Sequence, residues 1–430
     1  MLSAARAWGA TALTAAALMS TGAAPALAAS GSGPASASAS ATRTSALYGR
    51  TDPTYDGVWR QSLSLMALRT QGVTPADSAV GWLLQQQCAD GGWPSYNADP
   101  AKPCNATTED TNASSVALQA LASLGGHTDA VSKGANWFKT IQNKDGGWSY
   151  NPGGASDANS TALAVSALTA AGVDVKSVAK DGKTALSGLS AFQLGCTGTP
   201  AASRGAFAYQ PDKSGKLAAN DLASAQAALA AGQGRLPVSA TAPVTAATGS
   251  ATTCPDSATL AADYLSSRLA SGGNHLTQSL AGASPTPDYN ATAWAVLSLA
   301  HAGRNDAAAA AVNWLSQNAQ PWIQGDHGMP NAGSLATLIL AAQATGKDAT
   351  AFGTTNLVAQ LEATGPAPKS TPATTAAPSS APASASATRA AAAAQSSSGS
   401  GFSPWWIVGV CLVAGIGIGL YLSYARGKRS

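Results

Sequence analysis

Two stretches of twelve residues decide the fold: WLLQQQCADGGW at residues 82–93 and WFKTIQNKDGGW at residues 137–148. Each begins with Trp and an apolar residue, has Gln five positions after the Trp, and ends in Asp-Gly-Gly-Trp. The two copies start 55 positions apart. A phrase repeated at such a distance indicates a repeat architecture, in which each unit buries its apolar face against its neighbours.

A second phrase alternates with the first and predicts buried helices. It reads EDTNASSVALQALASLGG from Glu109, SDANSTALAVSALTAAG from Ser156 and PDYNATAWAVLSLAHAG from Pro287. In each copy, Asp-x-Asn precedes a run of Ala and Leu that stops at Gly, as expected of a capped helix. Weaker copies begin at Asp56, Asn220 and Asn331, so the phrase occurs six times.

Amphipathic segments lie between these copies and predict a second, outer set of helices. The Ala-rich helices are apolar nearly all round and must be buried, whereas their partners have one polar face. Six such pairs predict an all-α fold, an (α/α)6 toroid with a double ring of twelve helices. The outer helices are expected around residues 76–88, 129–142, 177–193, 256–269, 305–318 and 347–361.

The Trp-Gln-Gly-Gly-Trp phrase resembles the QW motif of the terpenoid cyclase and protein prenyltransferase superfamily, whose members fold as α/α toroids. The resemblance covers about residues 50–362. In this motif, Gln bonds the turn, Gly permits positive φ and Trp covers a helix end. We therefore expect structural roles for Gln87, Trp93, Gln142 and Trp148. Degraded copies stand at Gly205-Ala206-Phe207, Tyr264-Leu265 and Trp314-Leu315.

The two ends of the chain predict export and anchoring. Residues 1–28 read as a signal peptide, and the twenty uncharged residues 405–424 read as a transmembrane helix. A basic tail follows, so the protein is expected to be a single-pass type I plasma-membrane protein with its domain outside the cell. The remaining segments are a disordered spacer at 29–48, the toroid domain at 49–365, a Pro/Ala/Ser/Thr-rich disordered stalk at 366–400 and the cytoplasmic tail at 425–430.

Charge and cysteine content narrow the classes of function. The formal charge is +3, but 20 basic and 21 acidic residues remain outside once Arg6 and the three tail cations are set aside. Nucleic acid is therefore not an expected partner. Four cysteines are external and allow three pairings, of which we favour Cys88–Cys104 and Cys196–Cys254 because each closes an excursion between helices. No metal is expected, since Cys-x-x-Cys and His-x-x-x-His spacings do not occur.

The openings of the Ala-rich helices form the candidate ligand site. Parallel inner helices begin at one end of a ring, where their N–H groups and partial positive charge attract ligands. The same residue types are also the preferred N-caps, which is the competing interpretation. The candidate ligand-binding residues are Asp56, Asp110, Thr111, Asn112, Asp157, Asn159, Asn220, Asp288, Tyr289, Asn290 and Asn331.

Catalytic motifs of the related families are altered or missing. Cyclases protonate an alkene with an acidic motif at such a helix opening, and the matching stretch here is TTEDT at residues 107–111. Glu109 and Asp110 are the alternative catalytic residues, but Thr107 replaces the first Asp of that motif. The zinc ligands of protein prenyltransferases are not found, because the four histidines are scattered among unrelated loops.

The expected export of the domain and the altered or missing catalytic motifs together favour a binding protein. Secreted cobalamin carriers resemble this chain in their toroid and in Asp-Thr-Ala-type helix openings. The expected ligand is a hydrophobic or amphipathic small molecule, a corrinoid such as cobalamin or an isoprenoid, and no other cofactor is expected. A membrane transporter or a separate β-domain protein would be the partner. The alternatives are a divergent terpene cyclase- or prenyltransferase-like enzyme and a structural cell-surface module.

Overall fold

The computed structural model describes residues 46–239, 241–242, 254–278, 284–325 and 328–371. The predicted signal peptide, transmembrane segment and cytoplasmic tail lie outside these residues. None of the described helices combines the length and apolar character needed to cross a membrane. The described helices are α1 (Gly57–Thr70), α2 (Asp77–Gln85), α3 (Thr111–Leu124), α4 (Thr128–Ile141), α5 (Ala158–Ala170), α6 (Ala185–Ser190), α7 (Asp221–Ala231), α8 (Ser257–Ser271), α9 (Tyr289–His301), α10 (Asn305–Asn318), α11 (Gln320–Gln324), α12 (Ala332–Thr345) and α13 (Leu357–Glu362).

Six of these helices form a closed inner ring. Helices α1, α3, α5, α7, α9 and α12 each pack on the next, and α12 packs on α1. They are the six Ala-rich phrases of the sequence, and most of their residues are buried. Small side chains allow this close approach of neighbouring helices, and the expected α/α toroid is thus present in the described residues.

The outer layer is less regular than the repeat predicts. Helices α2, α4, α8 and α10 lie where expected. The helix expected at 177–193 is instead a hairpin of β1 (Ala179–Lys180) and β2 (Lys183–Thr184) followed by the six-residue α6. Its turn places Asp181 and Gly182 at positive φ, which ends any helix.

The last expected outer helix, at 347–361, is also broken. A 3₁₀ turn at Ala349–Ala351 precedes Gly353, and the six-residue α13 follows. Gly353 has φ +63°, and a Cβ there would lie 2.2 Å from the Ser316 carbonyl of α10. Only glycine permits this close approach. The positive φ that Gly353 adopts there interrupts the helix. Two further short strands, β3 (Thr277–Gln278) and β4 (Thr286–Pro287), pair antiparallel before α9.

One backbone contact recurs where the chain enters an inner helix. The N–H of the residue that precedes the helix donates to a carbonyl of the turn before it. This contact is defined here as the entry latch. Its five copies are Asp110 to Trp93 (2.8 Å), Asp157 to Trp148 (3.0 Å), Asn220 to Phe207 (2.9 Å), Asp288 to Leu276 (2.8 Å) and Asn331 to Ile323 (2.8 Å).

The Gln and Trp side chains of the repeated phrase bind the turn to the outer helices. Gln87 Nε2 donates to the Gly91 carbonyl at 3.0 Å and to the Ala130 carbonyl of α4 at 2.9 Å. The indole of Trp93 donates to the Leu83 carbonyl at 3.1 Å. The second copy repeats two of these contacts, from Gln142 to Gly146 at 2.9 Å and from Trp148 to Phe138 at 2.9 Å.

Covalent links and domain ends complete the fold. Disulfides join Cys88 to Cys104 and Cys196 to Cys254, the pairing favoured from the sequence. The ordered domain is longer than the predicted 49–365. Tyr48 is buried and its N–H donates to Gln61 Oε1. At the other end, the Ser370 carbonyl accepts from the N–H of Thr74 at 2.9 Å.

Candidate functional site

The inner helices begin at one end of the ring, and their first two turns are called the ring mouth. Backbone contacts tie neighbouring starts together: the Thr111 N–H of α3 donates to the Tyr150 carbonyl ahead of α5, at 2.9 Å. The Ala158 N–H of α5 donates to the Tyr209 carbonyl ahead of α7, at 3.0 Å. Each of these loops thereby supplies a hydrogen-bond acceptor to the first N–H group of the inner helix in the preceding repeat.

These contacts change the expected role of the helix openings. The predicted ligand residues Asp110, Asp157, Asn220, Asp288 and Asn331 all accept hydrogen bonds from the first turn of their own helices. Side-chain caps and neighbouring loops therefore occupy N–H groups that were expected to attract a ligand. The N-cap interpretation accounts for these five side chains.

Asp56 departs from this pattern. It makes no capping hydrogen bond and instead pairs with the buried Arg60 of α1. The Arg60 guanidinium also donates to the carbonyls of Tyr48 at 2.9 Å and Thr51 at 2.7 Å. Asp56 thus balances a buried cation that holds the start of the domain against α1.

Asp110 lies at the centre of a polar cluster. Its carboxylate accepts from the N–H groups of Asn112 and Ala113, at 2.8 and 2.9 Å, and from the hydroxyls of Ser95 and Tyr150, both at 2.7 Å. Burial raises the pKa of Asp110, and the four hydrogen bonds act in the opposite direction. A carboxylate engaged by four donors is suited to holding structure.

Glu109 faces a different environment from its neighbour. Its Oε2 accepts from the Trp137 indole of α4 at 2.6 Å, and a carboxylate oxygen lies within 4.8 Å of the sulfurs of Cys88 and Cys104. Burial, followed by the charge of Asp90, raises the pKa of Glu109 to about 7. The Glu109 carboxyl therefore lies against the outer layer, whereas Asp110 caps an inner helix.

Two tryptophans meet at the ring mouth. Trp59 of α1 and Trp294 of α9 have ring centroids 6.3 Å apart, although α12 lies between these helices in the ring order. Nearby helices contribute amides: Asn159 of α5 donates to Gln226 Oε1 of α7 at 2.7 Å. The side chains of Trp59, Asn112, Asn159 and Asn290 are all half-buried, so this end of the ring is open to solvent.

Several buried polar atoms at the ring mouth lack partners. Of five such side-chain atoms in the described residues, four belong to the first two turns of α3, α9 and α12. A buried polar atom without a partner is costly and rare in folded proteins. A ligand or water with matching groups would relieve that cost. The four atoms are Thr111 Oγ1, Asn112 Oδ1, Trp294 Nε1 and Ser334 Oγ.

A stack of four aromatic rings borders the same end and is called the aromatic stack. His275 lies 4.1 Å from Trp314, nearly parallel at 6°. Tyr289, the first residue of α9, stacks on Trp314 at 5.7 Å and on Trp322 at 6.2 Å. All four rings are half-buried, so the stack offers exposed ring surface to a ligand.

The sequence pointed to only part of this arrangement. Tyr289, Asn112 and Asn159 were predicted ligand residues and lie at the ring mouth. Trp59, Gln226 and Trp322 were missed, because their neighbours come from repeats distant in the chain. Aligning the six helix openings would have found Trp59 and Gln226, which lie three and six positions after Asp56 and Asn220.

A cavity and a group of possible metal ligands lie outside the first two turns of the inner helices. One cavity of about 550 Å³ lies beside the α4–α5 loop and is lined by Lys144, Phe192 and Gln210. Within the described ranges, one group could hold a metal ion: Cys88, Cys104 and Glu109. Its two sulfurs form a disulfide and offer no thiolate, so this group does not fit a metal.

One family model supports the fold. Residues 39–152 match the family model of the squalene-hopene cyclase C-terminal domain. A solved structure of a protein from Actinoplanes is 15% identical, with 72% of this chain and 99% of that chain covered and a TM-score of 0.43. A sugar epimerase from a ruminal bacterium is 13% identical, with 71% and 93% covered and a TM-score of 0.42. No curated protein matches the chain.

Proposed function

We propose that this α/α toroid of the terpenoid cyclase and protein prenyltransferase-like superfamily is an extracytoplasmic, membrane-anchored binding protein. It captures an amphipathic small molecule at the ring mouth and performs no covalent chemistry. The two disulfides support an oxidising location. The predicted signal peptide and transmembrane segment supply export and anchoring, and a membrane transporter is the partner that would receive the ligand.

The unpartnered polar atoms at the ring mouth carry this proposal. Thr111, Trp294 and Ser334 are each at least 98% buried, yet their hydroxyl and indole groups have no hydrogen-bond partner in the described residues. Leaving such a group unpaired costs about 1–3 kcal/mol. Their occurrence on three helices of one ring end supports a ligand that supplies the missing partners.

The chemistry of the mouth favours one of the two expected ligand classes. Asn112, Asn159 and Asn290 offer amide groups, and Trp59 with the aromatic stack offers flat apolar surface. A corrinoid has both a flat macrocycle and peripheral amides, whereas an isoprenoid chain has no hydrogen-bonding groups along its length. The mouth therefore matches a corrinoid-type ligand better than an isoprenoid.

The positions of the acidic residues argue against a cyclase. Its general acid would face the substrate, but the Glu109 carboxyl contacts Trp137 of the outer layer and Asp110 is engaged by four donors. The raised pKa of Glu109 is explained by burial and by Asp90. Neither carboxyl is free at the ring mouth.

A ligand panel tests the proposal on the full-length chain in neutral detergent. Thermal unfolding is followed with cyanocobalamin, an incomplete corrinoid and a short polyprenol, each far above its expected dissociation constant. We expect a corrinoid to raise the midpoint, because a ligand at 100 times its dissociation constant adds about 2.7 kcal/mol.

Matched tryptophan variants locate the binding site. Trp294→Phe removes the unpartnered indole N–H at the mouth, and Trp137→Phe removes an indole N–H in the outer layer. We expect roughly a tenfold loss of corrinoid affinity in the first and none in the second. A shift with polyprenol alone would reassign the ligand, and no shift with any compound would support a structural module.

A further inference from the structure

The end of the ring opposite the mouth, called the ring base, has a cavity of its own. It measures about 340 Å³ and lies where α1, α3 and α12 end. Its polar lining comes from four different parts of the chain, so the cavity exists only in the closed ring. The lining includes Arg69, Thr70, Ser123, Arg235, Ser239 and Gln343.

One wall of this cavity is a loop held firmly in place. After α7, the Leu236 N–H donates to Gln119 Oε1 of α3 at 2.8 Å, a buried contact between residues 117 positions apart. Leu236 and Val238 are 1% and 3% exposed, whereas Pro237 between them is half-buried and Arg235 and Ser239 on either side are exposed. The alternation anchors the loop across the base and turns Arg235 toward the cavity.

The cavity offers hydrogen-bond donors and positive charge. None of its described lining residues is acidic. Neither Arg69 nor Arg235 makes an ion pair or side-chain hydrogen bond with any described residue. Gln343 accepts through Oε1 from Gln71 Nε2 at 3.3 Å, which leaves its own amide N–H groups to donate. Such a lining is complementary to an anion.

A structural explanation accounts for only one of the two cations. Arg69 lies in the last turn of α1, where a cation complements the partial negative charge of the helix end. Arg235 lies on a loop and does not stabilise a helix end in this way. Two guanidinium groups that line one cavity and have no partner among the described residues suit an oxyanion. Arg donates in a planar fork that matches phosphate.

We propose that the Arg69–Arg235 cavity binds a phosphate group, either as a free phosphate compound or as the headgroup of an anionic lipid. The course of the chain is compatible with the lipid source. Lys369 and Ser370 pair with Thr74, just after the end of α1, so the last described residues lie at the ring base. The predicted stalk and transmembrane segment follow them in the sequence. This site is separate from the ring mouth and does not depend on the function proposed there.

The test measures phosphate binding to the full-length chain in neutral detergent. Inorganic phosphate and glycerol phosphate are titrated against chloride at equal ionic strength, and phosphatidylglycerol is mixed into the micelles with phosphatidylcholine as the neutral comparison. Binding is read from ³¹P NMR and from the thermal midpoint. Saturable binding of the soluble compounds identifies a free phosphate ligand, and binding of phosphatidylglycerol alone identifies a lipid headgroup.

Three arginine variants decide whether the cavity is responsible. We expect Arg69→Ala and Arg235→Ala each to weaken binding at least tenfold. Unfolding in chloride should be unchanged for the exposed Arg235→Ala and only slightly easier for Arg69→Ala, which removes a charge from the end of α1. Arg204→Ala removes the same charge from another exposed site and should leave the affinity unchanged. An equal loss with Arg204→Ala, or the absence of saturable binding by any probe, would overturn the proposal.

Discussion

The turns that enter the inner helices differ between the two halves of the ring. Trp93 and Trp148 accept at the entry latches of α3 and α5. Phe207, Leu276 and Ile323 accept at those of α7, α9 and α12, and Ile323 lies in the short helix α11. The backbone hydrogen bond is the same in all five. The comparison shows that the latch defines the repeat and that the tryptophan is an additional support.

The second half also places large aromatic rings at the rim, in addition to the buried Phe207 of its first latch. In the first half, Trp93 and Trp148 are fully buried in turns. In the second half, Tyr289, Trp314 and Trp322 are half-buried in the aromatic stack at the ring mouth. The rings of the aromatic stack are therefore partly exposed, whereas the two turn tryptophans are not.

Removing the aromatic side chain at an entry latch should have the largest effect on stability, and the size of the loss should differ between the two types of turn. Trp148→Ala and Phe207→Ala should each lower the free energy of unfolding by about 3–5 kcal/mol, because both side chains are fully buried. Trp148→Ala should cost about 1 kcal/mol more, since it also frees the Phe138 carbonyl. Urea unfolding measures both, and an equal or greater loss for Phe207→Ala would contradict the distinction.

Each half of the ring also has a disulfide, and the loss of stability on removal should differ slightly between the two. Cys88–Cys104 spans 16 positions and Cys196–Cys254 spans 58. Chain entropy predicts losses of about 3 and about 4 kcal/mol when each pair is replaced by serine. Equilibrium unfolding of the two double variants checks the order, and the reverse order would show that native contacts outweigh loop length.

The hydroxyl that supports the latch should matter equally in both halves. Ser114 Oγ accepts from the Trp93 N–H at 2.8 Å, and Ser224 Oγ accepts from the Phe207 N–H at 2.8 Å. Ser114→Ala leaves the Trp93 N–H unpaired and Ser224→Ala leaves the Phe207 N–H unpaired. Each should lower the free energy of unfolding by about 1–3 kcal/mol. Urea unfolding should give values within about 0.5 kcal/mol of each other. A clear difference would mean that the tryptophan compensates for the hydroxyl.

The smallest expected effect is the pH dependence of stability that Glu109, in the first half, contributes. The pKa of Glu109 is about 7 in the folded protein, against 4.5 in its ordinary state. A raised carboxyl pKa favours folding below the ordinary value, and this contribution is lost as pH rises toward 7. Glu109→Gln should therefore be more stable than the natural protein at pH 8, by roughly 1 kcal/mol after solvent screening.

Thermal midpoints between pH 4.5 and 8 measure this difference. The slope should be shallower in Glu109→Gln but should not vanish, because burial raises the pKa of Asp157 to about 6 and contributes with the same sign. Asp157→Asn retains a capping side chain and should remove the part of the pH slope that Asp157 contributes. Identical slopes in the natural protein and Glu109→Gln would show that Glu109 is ionised throughout.

Much of the fold could be read from local patterns. The six Ala-rich phrases, their capping residues and the disulfide pairing depend on spacing and on residue chemistry within one repeat. The broken outer helices could not be read in the same way. The amphipathic pattern continues through 177–193 and 347–361, but the close approach of Gly353 to Ser316 depends on a neighbouring helix.

The sequence by itself determined the number of inner helices, their buried character and the turns that join them, because each follows from hydrophobic periodicity and caps that act within a few residues. Only the tertiary structure decided which polar groups face the ring mouth and which arginines meet at the ring base. Those groups come from different repeats, and closure of the ring brings them together. Contacts such as Trp59 with Trp294 and Leu236 with Gln119 join residues more than 100 positions apart, where no local pattern records the pairing.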